Sequence, residues 1–362
     1  MEKIILSPAK YVQKEGAIAT IADYVRPLGE NPLFIADDFV MGITKDKIER
    51  SYAVSSGILH FENFNGEASR NEVSRIGKRI ETDKIDCVVG IGGGKTLDTA
   101  KAVSYYSKLP VVIVPTIAST DAPCSALTVL YTDEGVFDEY LFLPHNPNLI
   151  LVDTEIIAQA PARLLVAGMG DALATYFEAR ACKRSNATAM AGAQSTKAAM
   201  ALAELCFETL LESGTAARLS AENKVVTKAL EDIVEANTYL SGIGFESGGL
   251  AAAHAIHNGM TVIEEMHHLY HGEKVAFGTI TQLVLENAPQ EELYTVINFC
   301  KEQGLPTTFA ELGVEHVAQE KWLEVAELAC SEGETIYNMP FEVTPQDVYA
   351  ALLTADKLGA AF

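Results

Sequence analysis

Short apolar runs alternate with longer polar stretches along the first part of the chain, up to about residue 155. Each run is as long as a buried strand, and the stretches between them are long enough for helical crossovers. This pattern is typical of parallel strands joined by helices and predicts an α/β unit with a parallel sheet. The runs are Leu33–Ala36, Cys87–Val89, Val111–Val114 and Leu149–Val152.

From Pro161 onward the strand pattern stops, and long segments of helical character follow. We therefore predict two domains, an α/β domain at 1–160 and an all-α domain at 161–362. The cleft between them is the expected ligand site. The predicted helical segments are Ala187–Glu212, Glu222–Leu240 and Gly272–Glu286, and the prolines at the change of pattern are Pro144, Pro147 and Pro161.

The composition is that of a globular protein, with 48 % hydrophobic and 21 % charged residues among 362. Because 49 acidic residues outnumber 27 basic ones, the formal charge is −22, which disfavours binding to nucleic acid or an anionic membrane. The six cysteines form no C-x-x-C pair and are expected to be reduced. Neither a signal peptide nor an apolar membrane span is found, so we expect a cytoplasmic protein.

A glycine-rich segment, Cys87–Lys101, leads from one apolar run into a helical stretch. Glycines let the backbone approach a bulky anion, and the helix N-terminus supplies N–H donors. Val89 stands where a Walker A loop needs glycine, and the segment lies too far along the chain for the opening turn of a dinucleotide fold. The segment predicts a phosphate or pyrophosphate site, with a tight turn of small residues as the alternative.

Asp37 directly follows the run Leu33–Ala36. A carboxylate at the end of such a strand accepts hydrogen bonds from an adenosine ribose and repels a 2′-phosphate, which favours NAD over NADP. The alternative is that Asp37 caps the following helix.

Five of the eight histidines fall within a short stretch of the helical half. Two imidazoles and a carboxylate suit zinc or iron and leave one coordination position open for water or substrate. Spacing leaves the choice open, because i, i+3 and i, i+4 pairs both share a helix face. Asp171, flanked by glycines, is the candidate carboxylate, with helix capping as its alternative. The histidines are His254, His257, His267, His268 and His271.

Five motifs are spread along nearly the whole chain and together resemble the iron-containing, or group III, alcohol dehydrogenase family. Within that family they look like the zinc-dependent glycerol dehydrogenase branch, since the members that use iron typically carry three histidines and one aspartate. The motifs are Gly-Gly-Gly-Lys-Thr-Leu-Asp at 92–98, Pro-Thr-Ile-Ala-Ser-Thr-Asp-Ala-Pro at 115–123, Gly-Met-Gly-Asp at 168–171, Gly-Gly-Leu-Ala-Ala-Ala-His at 248–254 and Tyr-His-Gly-Glu-Lys-Val-Ala-Phe-Gly at 270–278.

The resemblance implies a dehydroquinate synthase-like architecture, in which an NAD-binding α/β domain faces a helical, metal-binding domain. It implies one divalent metal ion per subunit, zinc rather than iron, bound by Asp171, His254 and His271. These three residues and Asp121 would form the catalytic and substrate-binding set. By the same resemblance the NAD contacts are Asp37, Gly94, Lys95, Thr116, Ser119, Ser125, Leu127 and Tyr131.

The implied reaction is glycerol + NAD+ ⇌ dihydroxyacetone + NADH + H+, with other small vicinal diols as further substrates and the metal polarising the substrate hydroxyl. Asp121 would accept a hydrogen bond from a vicinal hydroxyl. The resemblance also implies a homo-oligomer, from dimer to octamer. Two alternatives are a metal- and NAD-dependent lyase like dehydroquinate synthase, which makes no net NADH, and a nucleotide sensor without turnover.

Overall fold

The computed structural model describes residues 2–54, 57–314 and 318–362. Strands and helices alternate as far as Asp153, and the described residues beyond it form only helices and their connections. The strands are β1 (Tyr11–Lys14), β2 (Pro32–Ala36), β3 (His60–Asn63), β4 (Cys87–Gly92), β5 (Val111–Pro115), β6 (Leu127–Tyr131), β7 (Phe137–Phe142) and β8 (Leu149–Asp153).

Five helices accompany the strands, and nine α-helices follow them among the described residues. The first group is α1 (Ile21–Val25), α2 (Asp38–Ser51), α3 (Arg70–Asp83), α4 (Gly94–Ser107) and α5 (Thr154–Gln159). The second is α6 (Ala162–Ser185), α7 (Lys197–Glu222), α8 (Lys228–Glu235), α9 (Ser241–Gly248), α10 (Ala252–Met260), α11 (His271–Leu285), α12 (Gln290–Gln303), α13 (Gln319–Ala329) and α14 (Pro345–Ala361).

Six strands form one sheet in the order β1-β8-β5-β4-β2-β3, and every neighbouring pair is parallel. The predicted parallel sheet is confirmed, and the four apolar runs are β2, β4, β5 and β8, which are buried along their length. The edge strands β1 and β3 are only partly buried, so they carry no apolar run. An antiparallel hairpin, β6–β7, lies outside this sheet and has no counterpart in the predicted pattern.

The helical half follows the prediction in kind but differs in its boundaries. The helix predicted from Ala187 begins only at Lys197, where the Thr196 side chain accepts a hydrogen bond from the Ala199 N–H. The intervening segment turns at Gly192, whose φ of 85° favours glycine. The apolar helix expected to start at Gly-Met-Gly-Asp begins earlier, at Ala162, so Asp171 lies inside α6 and the alternative that it caps a helix is wrong.

The structure also bears on the expected cysteine state, the absence of a membrane span and the domain boundary. Five of the six cysteines are buried free thiols, and Cys330 is half-buried and also free, which agrees with the expectation of reduced cysteines. Among the described residues, no helix combines the length and apolar character needed to cross a membrane. The boundary after residue 160 falls between α5 and α6 and stays a prediction.

Candidate active site

Glycines set how closely the helices of the site approach. A Cβ on Gly170 of α6 would lie 2.3 Å from the carbonyl oxygen of Gly272, and one on Gly272 would lie 1.8 Å from that of Ala167. Helices α6 and α11 therefore cross with backbone against backbone. Because Asp171 and His271 each adjoin one of these glycines, the crossing places the two side chains together.

A third glycine fits the loop after β5 against the same helix. A Cβ on Gly168 would lie 2.0 Å from the carbonyl oxygen of Ala118. Asn237 secures this contact, since its Nδ2 donates to Ala118 and to Leu165 of α6, each at 3.0 Å. The loop that carries Asp121 is thus held on the helix that carries Asp171.

Asp171, His254 and His271 form a cluster whose candidate ligand atoms all lie within 4.8 Å of one another. Asp171 Oδ1 lies 3.4 Å from His254 Nε2 and 3.2 Å from His271 Nε2. This oxygen is buried and has no hydrogen-bond partner, although a buried carboxylate oxygen is normally satisfied. A divalent cation bound between these three groups would satisfy it, so the residues fit a metal.

The Glu178 carboxylate orients the His254 ring. Its Oε2 lies 2.6 Å from His254 Nδ1, and its Oε1 accepts from the N–H groups of Ala251 and His254 at 2.8 and 3.0 Å. A carboxylate on one ring nitrogen leaves the other with its lone pair, as is usual for metal-binding histidines. His254 Nε2 is thereby prepared as a ligand atom.

The remaining histidines divide into one at the site and two outside it. His257 is buried, and its Nε2 lies 3.1 Å from His271 Nδ1. His267 and His268 are exposed and contact the backbone carbonyls of Thr261 and Glu265. Tertiary structure thus selects two of the five histidines for the cluster and places His257 directly behind it.

The charges of the cluster depend on one another. Burial alone would raise the pKa of Asp171, but the facing histidines outweigh burial and hold this pKa well below its ordinary value. Burial would lower the pKa of His254, but the carboxylates of Glu178 and Asp171 raise it well above the ordinary value. The site therefore holds an ionised Asp171, as a metal ligand requires, whereas His254 releases a proton when a metal binds to its Nε2.

Asp121 is buried beside this cluster. Its backbone N–H donates to Asp171 Oδ2 at 3.1 Å, and its Oδ2 accepts from the Ser241 hydroxyl at 2.8 Å. Burial, followed by the nearby Asp171 charge, raises the pKa of Asp121 well above its usual range. A polar substrate group next to the three ligand residues would meet this carboxyl group.

The glycine segment forms the turn from β4 into α4. Gly92 has a φ of 155°, and a Cβ there would lie 2.9 Å from Thr96 Oγ1. Gly93 and Gly94 begin the helix without a side-chain cap, and Gly94 is exposed with open space around its Cβ position. The first N–H groups of α4 are available to an anion, as the sequence predicts for a phosphate site.

Lys95, the next residue, is engaged with its own chain. Its Nζ donates to Glu67 Oε2 at 2.6 Å and lies 5.1 Å from the centre of the Tyr131 ring. An anion bound at the start of α4 would compete with Glu67 for this ammonium group.

Asp37 lies at the carboxyl end of β2, which pairs directly with β4. Its Oδ1 accepts from the Val40 N–H at 2.9 Å and caps α2. The capping alternative is therefore present in the structure. The position at the carboxyl edge, one strand from the glycine turn, also agrees with a ribose contact.

The other predicted NAD contacts lie on the loop after β5 and on β6. Thr116 and Ser119 are on the loop, buried and half-buried respectively. Leu127 and Tyr131 share the half-exposed face of β6. Ser125 is buried, with its hydroxyl 3.5 Å from Lys101 Nζ and donating to the Ala122 carbonyl at 3.0 Å.

The family model for iron-containing alcohol dehydrogenases matches residues 8–154. A glycerol dehydrogenase from Escherichia coli O6:H1 is 58 % identical over 362 residues, covering 100 % of this chain and 99 % of that protein. This chain belongs to the iron-containing alcohol dehydrogenase family. The lyase alternative is not favoured, because the similar proteins are named as dehydrogenases.

Two further relatives support the family assignment over the whole length. A glycerol dehydrogenase from Citrobacter freundii is 59 % identical, covering 99 % of this chain and 98 % of that protein. The crystal structure of a glycerol dehydrogenase from Schizosaccharomyces pombe superposes with a TM-score of 0.96 at 41 % identity, covering 99 % of this chain and 92 % of that one. The family fold therefore extends through both the sheet and the helices.

Several residues that complete the site were not predicted from the sequence. Glu178 lies two turns after Asp171 on α6, so the shared helix face offered a signal for it. Glu67 offered no comparable pattern, and neither did Glu334, whose carboxylate accepts from Nδ2 of Asn258, the residue after His257, at 3.1 Å, because these contacts join distant parts of the chain. Val129 lies on the β6 face of Leu127 and Tyr131, as the strand period of two requires.

Proposed function

We propose that this protein is an NAD-linked, metal-dependent glycerol dehydrogenase that oxidises glycerol to dihydroxyacetone and acts on other small vicinal diols. The observation that carries the proposal is the unpartnered, buried Asp171 Oδ1, which faces two histidine nitrogens. The glycerol dehydrogenases from E. coli and C. freundii, which match along the full chain, support the substrate.

Asp171, His254 and His271 would hold the divalent metal, with Glu178 orienting His254. When bound, the metal supplies Lewis acidity that favours loss of the hydroxyl proton, and NAD+ accepts the hydride. The two-histidine, one-carboxylate set suits both zinc and iron(II). We propose zinc, because the motifs resemble the zinc-dependent branch.

The sheet side of the site would bind the cofactor. The N–H groups at Gly94 and the ammonium group of Lys95 would receive the pyrophosphate, and Asp37 would accept from the ribose and exclude a 2′-phosphate. Further cofactor contacts, between the pyrophosphate and the metal, would come from Thr116, Ser119, Leu127 and Tyr131. Ser125, the remaining predicted contact, has its hydroxyl directed towards Lys101 and would support these residues.

Asp121 would bind the substrate. Its carboxyl group lies next to Asp171 and is already bonded to Ser241, so a hydroxyl on the carbon beside the reacting one would meet a fixed partner. This arrangement favours a diol over a simple alcohol, which would leave a buried polar group unpaired.

The direct test is NADH absorbance with purified protein, glycerol and NAD+, before and after chelator treatment, with zinc or iron(II) then added back. We expect NADH formation that chelation abolishes and zinc restores. The absence of NADH from every diol, in a folded protein that binds NAD+, would contradict the proposal. A homo-oligomer of two to eight subunits is also proposed from the resemblance, and light scattering after size exclusion would measure it.

A further inference from the structure

We propose that Glu334 is a positioning residue for the metal centre: acting through Asn258 and His257, it determines which ring nitrogen of His271 offers a lone pair to the metal. This inference rests on the metal site of the proposed function. Glu334 lies outside the cluster itself, at the start of a short 3₁₀ turn after α13.

Four side chains form a continuous hydrogen-bonded line from the cluster to Glu334. His271 Nδ1 lies 3.1 Å from His257 Nε2, and His257 Nδ1 lies 3.2 Å from Asn258 Oδ1. Asn258 Nδ2 lies 3.1 and 3.3 Å from the two carboxylate oxygens of Glu334. His257 is buried, and the other three side chains are half-buried, so the line is shielded from bulk water chiefly at His257.

The Glu334 carboxylate at the end of this line fixes which group donates and which accepts in each hydrogen bond. A carboxylate only accepts hydrogen bonds, so Asn258 must present its NH2 group to Glu334 and its oxygen to His257. The oxygen accepts only from an N–H, which places the proton of His257 on Nδ1 and leaves a lone pair on Nε2. His271 must then donate from Nδ1, and its lone pair is on Nε2.

His271 Nε2 is the atom that lies 3.2 Å from Asp171 Oδ1. If Asn258 were turned over, its NH2 group would face His257, and each histidine proton would move to the opposite nitrogen. His271 Nε2 would then carry a hydrogen and could no longer bind a metal. A carboxylate three side chains away thus excludes the tautomer that blocks the site.

The structure also explains why His271 needs a remote residue while His254 does not. Glu178 contacts His254 directly at 2.6 Å, whereas a neutral histidine stands behind His271. Both arrangements contact the backbone of Ala251. The Ala251 N–H donates to Glu178, and the Ala251 carbonyl accepts at 2.7 Å from the hydroxyl of Thr335, which is the residue after Glu334.

The test measures the zinc dissociation constant of chelator-stripped protein by competition with a chromophoric chelator. In Glu334→Gln the side-chain amide can present either its oxygen or its NH2 group to Asn258. Both orientations of Asn258, and therefore both tautomers of His271, are then permitted. We expect its dissociation constant for zinc to rise by about tenfold to a hundredfold, as for other residues that orient metal ligands. Glu332→Gln removes the same charge from an exposed position two residues earlier and should bind zinc like wild type.

The decisive variant combines Glu334→Gln with Asn258→Asp. This exchange keeps the total charge and makes position 258 an acceptor only, so the direction of the line no longer depends on position 334. We expect zinc affinity close to that of wild type, a rescue that a merely structural role of Glu334 would not predict. The melting temperatures of the stripped variants check that each is folded.

Equal zinc affinity of Glu334→Gln and Glu332→Gln would overturn the inference. So would a double variant that binds zinc no better than Glu334→Gln alone. A wild-type protein that binds no zinc or iron(II) would refute the metal centre itself, which distinguishes failure of the proposed function from failure of the role of Glu334.

Discussion

The helical side of the site is prepared for its ligand, whereas the sheet side uses its polar side chains internally. Asp171 Oδ1 faces two histidine nitrogens without a hydrogen bond, and Glu178 already holds the His254 ring. On the sheet side, Lys95 is paired with Glu67, and Asp37 caps a helix. A metal would therefore bind with little rearrangement, whereas a dinucleotide at the predicted contacts would compete with Glu67 for Lys95 and would share Asp37 with the cap of α2. The affinity for the dinucleotide should therefore depend on Glu67 and on the helix cap at Asp37.

Asp171→Asn should have the largest effect, because it removes the charge at the centre of the prepared side. We expect loss of bound metal and a fall in kcat/KM for glycerol of about a thousandfold or more, since a Lewis acid contributes several kcal/mol. Metal analysis and NADH formation measure this. Asp23→Asn, an exposed substitution on α1, is the control. Retention of stoichiometric metal by Asp171→Asn would contradict the assignment.

Asp121→Ala tests whether the helical side also recognises the substrate. Loss of an acceptor for the vicinal hydroxyl should lower kcat/KM for glycerol by roughly tenfold to a hundredfold, the cost of an unpaired buried group. Activity on a simple secondary alcohol such as 2-propanol should fall much less. Metal content is measured in parallel, because Asp121 contacts Asp171 through its backbone. Equal losses on both alcohols would remove Asp121 from substrate recognition.

Asp37→Asn separates the two roles of this residue on the sheet side. Asparagine caps a helix about as well as aspartate, but it lacks the charge that repels a 2′-phosphate. We expect the preference for NAD+ over NADP+, measured as the ratio of kcat/KM values, to fall by about tenfold while the melting temperature is unchanged. Asp37→Ala should in addition lose about 1 kcal/mol of stability through the missing cap. An unchanged cofactor preference would leave Asp37 only its capping role.

Glu67→Gln should have the smallest effect and the opposite sign. Freed from its partner, Lys95 would be available to the pyrophosphate, so NAD+ should bind about twofold to fivefold more tightly, the usual range for a solvent-accessible ion pair. Glu134→Gln, an exposed change of equal charge next to Gly135, which lies close to Glu67 in space, should leave the affinity unchanged. Displacement of bound NADH by NAD+, followed by fluorescence, measures both variants. Weaker binding by Glu67→Gln would show that Glu67 supports the cofactor site instead of competing for it.

The two halves also differ in how far the sequence predicted them. Buried parallel strands have short, continuous apolar runs, so β2, β4, β5 and β8 were predicted correctly. The β6–β7 hairpin was missed because its strands, although as long as the buried ones, are partly exposed and do not form the continuous buried runs on which the prediction relied. The start of α6 was placed too late, because the glycines around Asp171 resemble a helix start although they lie inside the helix.

The sequence by itself determined the parallel sheet, the glycine turn at Gly92–Gly94, and the presence of enough histidine and carboxylate groups for a metal. These properties depend on residues close together in the chain, where strand burial, backbone freedom and helix starts leave local patterns. Tertiary structure alone decided which histidines face Asp171, because both candidate spacings place a pair on one helix face. The decision comes from the crossing of α6 and α11 at Gly170 and Gly272, and the contact of Glu334 with Asn258 likewise depends on how distant segments pack.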